Sequence, residues 1–67
     1  MVSDLDIWRA ANILVQEHGE EAAIIAAQRA DELLAKGDVE GQIVWKRIVR
    51  AVAELQKRKP GEGERVN

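Results

Sequence analysis

Few side chains in this sequence are equipped for covalent or acid-base chemistry. His18 is its only imidazole, and so the only side chain whose ordinary pKa lies near neutrality; cysteine is absent and Ser3 is the only serine. Position explains both residues without catalysis. Ser3 stands where a helix N-terminus needs a capping hydroxyl, and His18 falls in a last turn, where a basic ring meets the final carbonyls. Glu17, Glu20 and Glu21 gather around His18-Gly19, but the dipole of a following helix accounts for acids at its start. A metal cage of the Cys/His kind cannot be assembled from one histidine and no cysteine, and no Glu-x-x-His pair is present to hold a carboxylate-bridged metal. The GEG segment after Pro60 has no Lys, Ser or Thr in a phosphate-loop spacing. The expectation is no enzyme, no cofactor and no metal.

Charge carries a stronger signal. The net charge of −2 hides a division: positions 1–45 hold three basic and nine acidic groups, whereas 46–59 hold six basic and one acidic. Lys46, Arg47, Arg50, Lys57 and Arg58 share one face at helical spacing, so a basic helix follows an acidic body. A stripe of this kind suits nucleic acid, yet a negative total charge opposes it. Glu54 sits four residues after Arg50 and four before Arg58, spacing that favours ion pairs along the helix. A solvated, ion-paired face is the first reading of the stripe; an acidic partner surface comes next, ahead of nucleic acid, and Glu20, Asp31 and Glu32 could supply it from this chain or from a second copy across a two-fold axis. Ile13, Ile24, Ile25 and Ile43 also lie off the apolar faces, too many misfits to ignore. The candidate partner surface is therefore Ile24, Ile25, Ile43, Lys46, Arg47 and Arg50, with self-association or an adaptor role expected and nucleic-acid binding through the basic face as the alternative. No small-molecule substrate is suggested.

The elements that must position these residues are helices. Ten alanines, with Val, Ile, Leu and Trp at spacings of three and four, predict an all-α chain, and glycine punctuates it. Ser3 with Asp6 three positions on opens a helix at about 4–17, which stops at His18-Gly19. A second, about 20–36, has Glu20 and Glu21 in its first turn and ends at Lys36-Gly37; Asp38 then caps a third, about 39–57. Short connections make these neighbours, predicting a compact three-helix bundle at 1–59 with a polar tail at 60–67. The longest uncharged apolar run, Ala22 to Ala27, is far short of a membrane span, and the MVSDLD start carries no export signal. A cytoplasmic location is expected.

Helical spacing assigns Ile7, Trp8, Ala11, Leu14 and Val15 to the inward face of the first helix. Ala22, Ala23, Ala26, Ala27, Ala30, Leu33 and Leu34 form that of the second. Val44, Trp45, Ile48, Val49, Ala51, Val52 and Leu55 form that of the third. The almost pure alanine face admits a close neighbour, and Gly41 on the inward side of the third helix suggests close approach there too. Asn12 borders the first apolar face, where an amide needs an interhelical hydrogen bond or a wet edge.

The segments DLDIWRAANIL, AAQRADELLAKGDVEGQIVWKRI and RAVAELQ resemble a family of small uncharacterised bacterial helical proteins, a domain of unknown function. The resemblance spans about residues 4–56, and its most specific parts are Trp8, Arg9 and Asn12, then Asp31 to Leu34, Gly37, Asp38, Gly41 and Trp45 to Arg47. It implies a compact helical protein and transfers no activity, cofactor or site residue.

Overall fold

The computed structural model describes residues 2–58, the last of them by its backbone alone. The polar tail expected at 60–67 and the Arg58 side chain of the basic stripe lie outside the described residues. Helix takes up every described residue except Val2, Ser3 and the turn at 36–38, and no strand occurs among them. The chain is therefore all-α. It reaches that state as two helical stretches. Helix α1 (Asp4–His18) passes through a 3₁₀ turn (Gly19–Glu21) directly into α2 (Ala22–Ala35), so the two are arms of one long bent helix, and α3 (Val39–Arg58) is the second stretch.

The three-helix bundle expected from the glycine punctuation is corrected on this point. Gly19 does interrupt the α-helix, with φ 59° and ψ −128°, but its N–H still donates to the Val15 carbonyl and its own carbonyl accepts from Ala22. Hydrogen bonding carries through the corner, which makes it a bend rather than a loop. Glu20 and Glu21, expected in the first turn of the second helix, form the 3₁₀ turn instead.

The remaining ends follow the side chains that were expected to make them. Ser3 Oγ accepts from the Asp6 N–H at 3.2 Å, satisfying one of the orphan donors at the start of α1. At the other end of the bent stretch, the Gly37 N–H donates to Leu34 and the Asp38 N–H to Leu33, while Gly37 takes φ 84°. This is the paired hydrogen bonding of a Schellman stop, in which glycine avoids the cost of a left-handed conformation. Asp38 then caps α3, its Oδ1 accepting from the Gly41 N–H at 2.9 Å. Gly41 proves to serve that cap and not a neighbouring helix, because a Cβ placed on it would come within 2.7 Å of the Asp38 carboxylate.

Both arms pack chiefly on α3 and touch each other little. The short turn at 36–38 sets α2 antiparallel to α3. Arg47 bonds to Asp4 at the start of α1 and Gln56 Nε2 donates to the Gly19 carbonyl at 2.8 Å at its end, so α1 and α3 run in the same sense. The core where they meet is Ile7, Ala11, Ala22, Ala26, Ile48, Ala51 and Val52, with Leu14, Val15, Val44, Trp45 and Leu55 partly buried around it. No described helix is long and apolar enough to cross a membrane.

Two substitutions test this architecture. Ala26 is wholly buried, so Ala26→Leu must push α2 off α3 and lower stability by about 1–3 kcal/mol. Ala35→Leu, at an exposed position of the same helix, should stay within about 0.5 kcal/mol; equal effects in urea unfolding would contradict the close approach. Gly19→Ala forces a side chain onto a backbone outside even the left-handed helical basin and should cost about 1–3 kcal/mol, read as a fall in the thermal midpoint.

Candidate functional site

An open groove of about 640 Å³ runs between α2 and α3, walled by Ala27, Ala30, Asp31 and Leu34 on one side and by Gln42, Ile43, Lys46, Arg47, Val49 and Arg50 on the other. Four of the six residues expected on the partner surface line it: Ile43, Lys46, Arg47 and Arg50. Ile24 and Ile25 do not. Ile24 is 59% exposed and lies on the same face of α2 as the groove wall, three residues before Ala27 and seven before Asp31. Ile25 points the other way and is half-buried.

The groove floor is apolar and its rims are charged. Leu34 is 54% exposed and Ile43 52% exposed, so branched side chains face solvent from both walls. Asp31 stands on the α2 wall opposite Lys46 and Arg50 on the α3 wall, and no ion pair within 4 Å joins them among the described residues. Arg47 is engaged elsewhere. Its guanidinium donates to the Asp4 carboxylate, tying α3 to the start of α1 and removing one cation from the expected stripe. On the opposite flank of α3 a smaller groove is lined by Asp4, Ile7, Trp8, Arg47, Arg50, Ala51 and Glu54.

Three inward assignments, Leu34, Ala27 and Trp8, are corrected by the packing, which leaves all three exposed. Leu34 sits in the last turn of α2, where the chain is about to reverse and too few neighbours remain to cover it. Trp8 is 38% exposed and stands outside the core cluster, because Ile7 and Ala11 hold the centre of that face and leave the indole at its edge, lining the smaller groove with Arg50 and Glu54. Trp45 does pack against the core, and the Arg29 guanidinium lies 5.6 Å over its ring, a cation–π contact. Asn12 is exposed, and no interhelical hydrogen bond engages its side chain among the described residues. It takes the wet edge.

His18 is exposed at the end of α1, with Nε2 3.9 Å from Glu17 Oε1, and it lines none of the grooves described. No group of three or more His, Asp or Glu side chains is placed to hold a metal ion among the described residues. Sequence reasoning missed Gln56, whose bond to Gly19 joins the end of α3 to the bend. Its signal was its place, four residues after Val52 at the edge of the apolar face of α3.

No family model, curated protein or solved structure matches this chain. What the surface does must therefore be argued from its own residues.

The Asp4 to Arg47 pair is exposed on the Asp4 side and only half-buried on the other, so Asp4→Ala should lower stability by less than about 1 kcal/mol. Urea unfolding of wild type and variant should converge as salt is raised; a gap unchanged in high salt would show that Asp4 acts by something other than its charge.

Proposed function

We propose that this chain is a small cytoplasmic, non-enzymatic helical module that works through protein contacts, made by the α2/α3 face, with self-association as the first form and an adaptor or regulatory role as the wider one. The observation that carries this reading is the exposure of Leu34 and Ile43 on opposite walls of one groove. Large apolar side chains facing each other across open space are stabilised by anything that covers them, and charged rims give such a contact its orientation. Kinship with the bacterial family of unknown function is proposed alongside it, on Trp8 with Arg9 and Asn12, Asp31 to Leu34, Gly37, Asp38, Gly41 and Trp45 to Arg47.

Nucleic-acid binding through the basic face is the weaker alternative. The tie between Arg47 and Asp4 leaves fewer free cations along that face, and a phosphate partner would leave Leu34 and Ile43 uncovered.

Light scattering across a dilution series of the whole chain tests the proposal. The expected result is a mass that rises toward twice the monomer with concentration, and Ile43→Asp combined with Leu34→Asp should weaken that association by at least about tenfold. A monomer at every concentration, together with duplex binding that falls steeply with salt, would overturn self-association in favour of the alternative.

A further inference from the structure

We infer that the occupant of the α2/α3 groove is a second copy of this chain, docked antiparallel about a two-fold axis at the level of Arg29, with Asp31 of each copy against Lys46 and Arg50 of the other. This deepens the protein-contact proposal and rests on it.

The sequence of the exposed stripe on α2 is the first ground. Ile24, Ala27, Asp31 and Leu34 follow one another at spacings of three, four and three, so they share a face. Reversing that face about its centre exchanges Ile24 with Leu34 and Ala27 with Asp31, and both exchanges have the same centre, at Arg29. In an isologous contact each such exchange is made twice, because residue i of one copy meets j of the other and j of the first meets i of the second. In this register a branched side chain meets a branched one at both ends. In the middle, alanine leaves room for the carboxylate.

The charges on the two walls are the second ground. Arg29 lies over Trp45, which sets the levels of the two antiparallel helices against each other. Asp31 is therefore level with Ile43, about one turn short of Lys46 and almost two short of Arg50. That offset fits the absence of an ion pair among these three residues of the groove. Rotation about the axis brings the partner's Asp31 to the level of Ala27, which is the level of Lys46 and Arg47 and within one turn of Arg50. Rim charges of opposite sign left apart within one chain are thus brought together between two chains. The same rotation places Ile43 opposite the partner's own α3 rim, where its exposed side chain is covered. Glu20 and Glu32, the other acids considered for this role, do not line the groove.

Reciprocal charge exchange separates the pairing from the groove itself. Asp31→Lys alone, and Lys46→Glu with Arg50→Glu, should each weaken self-association by about tenfold or more through like charges at the rim. An equimolar mixture of the two should associate as tightly as the wild type, read by sedimentation velocity, with circular dichroism confirming that each variant is folded. Because the chain has no cysteine of its own, Ala27→Cys mixed with Asp31→Cys reports the register directly, by a crossed disulfide formed in preference to either self-pair. If Ile43→Asp abolishes association while the charge variants behave as wild type and the crossed disulfide does not form, the two-fold register is overturned and the groove proposal stands. If neither Ile43→Asp nor the charge variants change the solution mass, both are overturned.

Discussion

The close approach of α3 to an alanine-lined helix is the constraint on which the rest of this molecule depends. Ala22, Ala26 and Ala30 are buried on α2 and Ala11 on α1, and none of them holds the neighbouring backbone away. Ile48, Ala51 and Val52 of α3 fill the space that remains, and Val52 is the largest side chain wholly enclosed. A core of such small residues packs tightly but covers little area, so each methyl group within it counts for more than in a larger domain. Ile24 and Ile43 lie off the inward faces of their helices, Leu34 lies in the last turn of α2 and Trp8 at the edge of the core, and all four stay partly or largely in water.

A thin core leaves much of the geometry to the helix ends. Each end of the bent stretch and the start of α3 is held by a local hydrogen bond: Ser3 to Asp6, Leu33 and Leu34 to the Gly37 turn, Asp38 to Gly41. These contacts set where each helix begins, and therefore which side chains share a face. Two longer contacts then fasten α1 along α3, Arg47 to Asp4 near one end and Gln56 to Gly19 at the other. The partly buried Gln56 bond gives the Gly19 carbonyl a second donor beside Ala22 and so ties the end of α3 to the bend. The exposed ion pair contributes less to stability, but it sets the charge of the surface by withdrawing Arg47 from the basic face.

Charge and apolar surface thus have a common origin in the placement of α3. The basic helix α3 lies against a bent stretch, residues 4–35, that carries seven of the twelve acids, and the Asp4 to Arg47 pair joins the two on one side. On the other side Asp31, Lys46 and Arg50 line a shared groove without pairing. A rim with both signs of charge around an apolar floor is suited to a partner that presents the same pattern reversed.

Local chemistry made much of this legible in the sequence. The all-α class, the Ser3 and Asp38 caps, the stop at Gly37 and most of the inward faces are set by interactions within four or five residues, and spacing alone determines those. The grouping of Ile43, Lys46, Arg47 and Arg50 was legible for the same reason, since all four lie on one helix. What could not be read depends on residues far apart in the chain. Whether Gly19 ends a helix or bends it rests on hydrogen bonds that continue through Ala22 and on Gln56 arriving from α3. Whether Leu34 and Trp8 are covered depends on how near α3 comes and where the chain turns away, and a helical wheel contains neither distance. The sequence by itself determined which residues share a face; only the tertiary structure decided which faces remain open, because that is settled by the separation of helices and by contacts across 37 to 43 positions of chain.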